Sequence, residues 1–243
     1  MFSAGYQPLS PHSQIRWIRP VLQVRSQQTL ERLLDSAEEL IADKGFEDIT
    51  VAEIASRAGV SVGAVYSRFH DKQGVLHCLQ DRFVDEANLT TDNAFDPERW
   101  RGASIEEIIS ELITFLVEIH RKRRGVMREL VARAKNEPSM IERKGRLVAR
   151  IGECLESLLI ARAERIGAPA PAMAIRFGLR LVLCMLEQAI LFDDIRAYGI
   201  PDSDEQLASE LTRAYLAYLD VNGESLSVGP TNNLEDELET RRE

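Results

Sequence analysis

The chain has 243 residues, with 30 Lys and Arg against 39 Asp and Glu, a formal charge of −9, and 44% hydrophobic residues. That composition is globular and excludes collagenous or wholly disordered chains, and the length is ample to bury a core. Apolar runs such as Leu181 to Leu186 are far short of the roughly 20 residues of a membrane-spanning helix.

The N-terminus shows no apolar stretch followed by a small-residue cleavage site, so a secretory leader is not expected and the cytoplasm is the expected compartment. Cys78, Cys154 and Cys184 are odd in number and lie among apolar residues, which suits reduced, buried thiols. The charge is unevenly spread. Residues 1–30 hold Arg16, Arg19 and Arg25 and no acid, residues 31–56 are strongly acidic, 57–82 slightly basic, and 120–150 strongly basic through the run Arg121-Lys122-Arg123-Arg124. A field is local within a Debye length of about 8 Å, so an acidic total does not exclude a phosphate-binding face.

In chain order, residues 1–25 are expected to form a basic, flexible arm with Trp17 and Ile18 between the arginines. Leu30, Leu33, Leu34, Ala37, Leu40 and Ile41 then recur at three- and four-residue spacing, predicting an amphipathic helix that Gly45 ends. Thr50-Val51-Ala52-Glu53 reads as a capping box that opens a short helix burying Val51, Ile54, Ala55 and Ala58. Gly59 stops that helix, and Ser61 is placed to cap the next, which runs through Val65, Tyr66 and Phe69. Asp71-Lys72 starts a longer helix with Val75, Leu76, Leu79 and Phe83 on one side.

A second capping box, Ser104 to Glu107, opens a helix through Ile105, Ile108, Ile109, Leu112, Leu116 and Ile119. Further helices are predicted over about 126–136, 139–166 and 172–192, the last apolar nearly all round and so requiring cover on most sides. Ser203-Asp204-Glu205-Gln206 caps a final helix with Leu207, Leu211, Ala214 and Tyr218 on its inner face, and 222–243 reads as an acidic, disordered tail. The fold class is therefore all-α, about nine helices without a convincing strand.

Two short helices joined at Ala58-Gly59-Val60-Ser61 behind a longer one form a helix-turn-helix pattern, in which Gly59 permits the left-handed turn and Val60 fills the space between the helices. The run from Ile49 through Thr50-Val51-Ala52-Glu53-Ile54-Ala55 and Ala58-Gly59-Val60-Ser61 to Val65-Tyr66, Phe69 and Lys72 resembles the N-terminal signature of the tetracycline-repressor-like (TetR) family. The similarity extends from Ala42-Asp43-Lys44-Gly45-Phe46 to Gln73-Gly74-Val75-Leu76. The resemblance is strong over about residues 26–83. It implies a helix-turn-helix DNA-binding domain over 26–83, a ligand-binding and dimerisation domain over 84–221, and a homodimeric, cytoplasmic transcriptional regulator. The resemblance also implies that the third helix enters the major groove.

By that resemblance Thr50, Tyr66 and Lys72 contact phosphate, and Ser61, Val62, Gly63 and Ala64 form the exposed first turn of the recognition helix, while Val65 and Phe69 are core. Hydroxyls and an ammonium are ordinary phosphate partners, and Val62 and Ala64 suit thymine methyls. Since that turn holds no Arg, Asn or Gln, specificity is expected to draw also on Ser67, Arg68, the arm and DNA shape, and His70 is placed either to touch phosphate or to cap the end of the third helix. The run Arg121–Arg124 reads as a solvated helix end rather than a DNA contact; the other readings are an anionic effector there, or docking onto acidic 31–56.

The resemblance further implies a repressor released from a near-palindromic operator by a small-molecule effector. Phe115, Met127, Met140, Met173, Phe177 and Met185 are candidates to line the effector pocket, against a plain core role. Pairing of the last two helices with their mates is expected to form the dimer, so that a charge at Leu181 or Leu211 should yield monomers. The rival readings are a helical-bundle enzyme and a regulator without a small-molecule effector. Against an enzyme, none of His12, His70, His77 and His120 follows an acid by three residues, and no nucleotide, metal or hydrolase motif occurs, so no cofactor is expected.

Overall fold

The computed structural model describes residues 24–192 and 203–221. The expected arm, with Arg16, Trp17, Ile18 and Arg19, and the expected acidic tail over 222–243 lie outside the described residues. Among the described residues the protein forms nine α-helices and no β-strand: α1 (Val24–Lys44), α2 (Val51–Arg57), α3 (Val62–Tyr66), α4 (Lys72–Ala94), α5 (Ile105–Lys122), α6 (Arg124–Ala134), α7 (Pro138–Ile160), α8 (Pro171–Leu186) and α9 (Asp204–Leu219). The helical class read from periodicity therefore holds.

Local chemistry sets most boundaries. Both capping boxes form: the Thr50 amide donates to the Glu53 carboxylate at 2.8 Å while Thr50 Oγ1 accepts from the Glu53 amide at 3.2 Å, and Ser104 and Glu107 repeat the pattern at 2.8 and 3.2 Å. Asp71 caps α4 by accepting from the Gly74 amide at 2.8 Å, and Ser203 caps α9 from the Gln206 amide at 3.2 Å. Two boundaries differ from the periodicity. The helix expected over 139–166 stops at Ile160, followed by a 3-10 turn at Ala163–Arg165, and the one expected over 172–192 widens into a π-helix at Glu187–Phe192.

Two apolar cores form. The first joins Leu33, Leu34, Ile41, Phe46, Ile54, Val65, Phe69, Val75 and Leu76, and α6 and the start of α7 add Val126, Leu130, Ala134 and Met140 to it. The second is built from α5, α7, α8 and α9. The α4 helix runs unbroken through the 83/84 boundary, with Val75, Leu76 and Leu79 in the first core and Phe83 against the second. Its middle, from Gly74 to Arg82, is buried on all sides rather than on one.

On α9 the buried ridge is Leu207, Leu211, Tyr215 and Leu219, at four-residue spacing, whereas Ala214 and Tyr218 face outward. That shifts the expected inner face by one residue at its C-terminal end, from Ala214 and Tyr218 to Tyr215 and Leu219, and the reason is visible at Gly178. A Cβ there would overlap the Tyr215 ring, whose hydroxyl donates to the Ile175 carbonyl. The absent side chain on α8 therefore selects which α9 residue turns inward. All three cysteines are free; Cys78 is buried as expected, but Cys184 is exposed.

Candidate DNA-binding face

Gly45 and Gly59 adopt φ of 82° and 66°, the left-handed region that lets each helix end in a tight turn. The second turn delivers Ser61, whose Oγ accepts from the Ala64 amide at 3.2 Å and caps α3. Val65 and Phe69 are each 1% exposed, and Val60 packs against the same core. With those anchors inward, the first turn of α3 points out: Ser61, Val62 and Gly63 are exposed and Ala64 half-buried, while Val62 and Tyr66 stand 41% and 49% exposed. His70 is exposed too.

Two candidate base readers are turned back in the free protein. Ser67 Oγ and Arg68 Nη1 both donate to the Ala64 carbonyl, each at 2.9 Å, satisfying the end of a five-residue helix. Thr50 is exposed, and its hydroxyl is engaged with Glu53, donating at 2.9 Å as well as accepting. The Glu53 carboxyl, held by Lys44 and Thr50, is lowered to about 2. Lys72 is half-buried. Its ammonium donates to the carbonyls of Glu47 at 2.9 Å and Ile49 at 3.0 Å and lies 4.6 Å from the centre of the Phe46 ring. The start of α4 is thus drawn to Ile49, the residue before the Thr50 cap, 23 positions earlier in the chain. An ammonium carries three protons, so one remains for an outside acceptor.

Periodicity does not reveal what holds this face against the rest of the chain. Arg82, 5% exposed in its side chain, reaches Asp35 and Glu38 at 2.6 Å each and Glu31 at 3.5 Å. Arg123 grips Glu38 with two nitrogens at 2.8 and 2.9 Å, pairs with Glu86, and lies 5.2 Å from the Phe83 ring centre. Burial would raise the Glu38 carboxyl, but Arg123 and Arg82 hold it below the ordinary range; Glu31, also buried, is raised despite Arg82. Arg121 clasps Asp204 with contacts at 2.5 to 3.1 Å. The run Arg121–Arg124 is therefore not a solvated helix end, because Arg121 and Arg123 tie α5 to α9 and to α1. Docking onto the acidic 31–56 segment is realised by Arg123, through Glu38, while Arg121 docks onto α9 and Lys122 stays exposed.

The six residues nominated for an effector pocket are not brought together. Met140 is buried in the first core and Met127 in the second. Phe115 is exposed on α5, and Met173, Phe177 and Met185 are exposed on α8. The last three alternate with Leu181 at four-residue spacing, so they form one outward ridge and not a pocket wall. A cleft of about 590 Å³ does lie between α5 and α9, lined by Ser110, Thr114, Val117, Ser209, Thr212 and Leu216. None of the six nominated residues lines it. Among the described residues no cluster of His, Cys, Asp or Glu is arranged to hold a metal ion, and no helix is long and apolar enough to cross a membrane.

The sequence profile of bacterial regulatory proteins of the tetR family matches residues 33–79. Over 119 residues the chain is 30% identical to the HTH-type transcriptional regulator YdeS of Bacillus subtilis, covering 49% of this chain and 56% of that one. Over 76 residues it is 36% identical to the HTH-type transcriptional regulator EthR of Mycobacterium tuberculosis, covering 28% and 35%. The chain thus spans about half or less of the length of these two relatives. Among solved structures, a transcriptional regulator from Rhodococcus sp. Rha1 superposes with a TM-score of 0.61 at 25% identity, covering 79% of this chain and 98% of that one. Salmonella enterica GusR superposes at 0.57 and 19% identity, covering 80% and 96%, a likeness of fold. With a helix-turn-helix built on its own core, an outward α3 and this match, residues 33–79 form the helix-turn-helix segment characteristic of the tetR family of bacterial regulatory proteins.

Proposed function

We propose that the protein is a sequence-specific DNA-binding transcriptional regulator, acting as a homodimeric repressor that a small-molecule effector releases from a near-palindromic operator. The observation that carries the DNA-binding part is the outward first turn of α3, together with the carbonyl-held Lys72 ammonium at the start of α4. In this reading Ser61, Tyr66 and Lys72 donate to phosphates, and Val62, Gly63 and Ala64 approach base edges. The Ser61 oxygen accepts the cap bond, leaving its proton to donate. Thr50 can join them only by turning its hydroxyl away from Glu53. Ser67 and Arg68 read bases only if they exchange the Ala64 carbonyl for DNA, and His70, exposed after the end of α3, contacts a phosphate.

The dimer reading rests on the ridge Met173, Phe177, Leu181 and Met185 of α8, continued on α9 by Tyr218, whose ring centre is 5.7 Å from that of Phe177. A contiguous apolar stripe of this kind marks an association surface. A second copy related by a two-fold axis would place four helices together and present two α3 helices to successive major grooves. The effector would act by binding one arrangement of the two α3 helices better than the other. The cleft between α5 and α9 is within the usual volume of a small-molecule site.

Selection of duplexes from a random pool by the purified chain tests the proposal. A palindrome with half-sites about one helical turn apart is the expected outcome. Recovery of no sequence preference would overturn it. A thermal-shift screen then separates the effector-controlled reading from a regulator without a small-molecule effector.

A further inference from the structure

The first apolar core contains a helix from outside the segment that carries the family signature. At its N-terminal turn, α6 approaches α1 so closely that a Cβ on Gly125 would lie 2.6 Å from the Ala42 Cα, and Arg123 beside it grips Glu38. At the other end Arg133 pairs with the Glu47 carboxylate, with Glu129 at 3.9 Å, and its guanidinium lies 4.5 Å from the Phe46 ring centre. Phe46, fully buried, therefore carries two cations, Arg133 from α6 and Lys72 from α4. Glu47 is shared in the same way: its carboxylate takes Arg133 and its carbonyl takes Lys72.

We infer that Arg133 is a positioning residue for DNA recognition, fixing Phe46 and Glu47 so that the carbonyls of Glu47 and Ile49 aim the Lys72 ammonium at a phosphate. The inference rests on the proposed phosphate contact of Lys72. The chemistry favours this role over a plain surface ion pair. Arg133 is only 20% exposed in its side chain, whereas Glu47 is 75% exposed, so a pair made for stability alone would be weak. What Arg133 adds is restraint of a short segment between two helices, whose main-chain oxygens would otherwise turn to water. Lys72 has no acid within ion-pairing distance among the described pairs, so its direction depends on those oxygens.

The test uses the full chain and the duplex recovered by selection, with variants Arg133→Gln, Arg133→Lys, Glu47→Gln, Lys72→Ala and Arg133→Gln combined with Lys72→Ala. The Lys72 amine is probed without DNA by its rate of acetylation, read by mass spectrometry against exposed Lys122. Arg133→Gln and Glu47→Gln should each raise the Lys72 rate severalfold in a protein that still melts cooperatively, and Arg133→Lys should restore most of the protection. Arg133→Gln should weaken operator binding about fivefold and lower the salt slope by up to about one. It should add almost nothing once Lys72 is Ala. An unchanged Lys72 rate in the folded Gln variants overturns the inference directly, as do additive losses in the double variant. If Lys72→Ala leaves affinity and salt slope unchanged, the phosphate contact itself is refuted, and the inference falls through that premise while the acetylation rates still report the restraint.

Discussion

Single residues on the proposed DNA face divide by what already occupies their polar atoms. Tyr66 is half exposed on α3, so Tyr66→Phe should weaken operator binding across sequences by about 1 kcal/mol, without a change in melting temperature. Competitive binding to the selected site and to one base-substituted variant checks this; a loss confined to one sequence would mean base readout instead. Asp81 offers a stability test away from DNA. It is 4% exposed, lies 3.4 Å from Arg143, and its Oδ2 has no hydrogen-bond partner among the described residues. Burial pushes its carboxyl up to about 6, with Arg143 opposing and Asp85 adding.

A carboxyl raised above its unfolded value of about 4 keeps its proton longer when folded, so its contribution is most favourable below about pH 4 and is lost as pH rises through about 6. Asp81→Asn should therefore stabilise the protein by about 1–2 kcal/mol at pH 7.5, less the lost attraction of Arg143, and much less near pH 4. Paired denaturant titrations of both proteins at the two pH values measure the difference. An equal effect at both would refute the assignment.

Helices and their junctions show which local signals carry through. Every Ser, Thr or Asp nominated as a cap does cap, because an N-cap bond is made within four residues and needs no partner from elsewhere. Inward and outward faces are less legible. The α9 pattern fits a ridge through Ala214 and Tyr218 nearly as well as one through Tyr215 and Leu219, and the neighbouring Gly178 settles it. Gly178→Ala should accordingly cost about 1–3 kcal/mol, since the Tyr215 ring it would meet is buried and hydrogen-bonded and has nowhere to go. A melting temperature lower by several degrees, with helix content kept, is the expected reading. Pairs across distant elements are illegible for the same reason: Arg133 and Glu47 are 86 positions apart and neither stands in a motif.

For the whole molecule, the alternating charge blocks find each other. In the basic 120–150 stretch, Arg121, Arg123, Arg133, Arg143, Lys144, Arg146 and Arg150 all meet carboxylates, many of them in the acidic blocks that precede and follow it. Much of the stretch is therefore intramolecular counter-charge, and Glu31 and Glu38 of α1, which pair with Arg82 and Arg123, are largely withdrawn from solvent, whereas Asp35 pairs with Arg82 while exposed. Assembly follows the same logic. Leu181 is 46% exposed on the α8 ridge, but Leu211 is 7% exposed within the protomer. Leu181→Glu should therefore give a folded monomer by light scattering and circular dichroism, with palindrome affinity lower by more than about a hundredfold. Leu211→Glu should unfold the chain and is not the dimer test that helix spacing suggested. A dimer surviving Leu181→Glu would refute this placement of the interface.

From sequence alone came the all-α class, the caps, the glycine turns and the helix-turn-helix, because each depends on residues within a turn or two of one another. The exposed edge of α3 was legible for the same reason: Val65 and Phe69 turn inward at helical spacing, and the residues between them must turn out. Only the tertiary structure decided that α6 belongs to the first core, that Lys72 is held by carbonyls, and that Met173, Phe177 and Met185 form a ridge and not a pocket. Apolar periodicity records that a side chain avoids water; it does not record which element, or which second molecule, removes it.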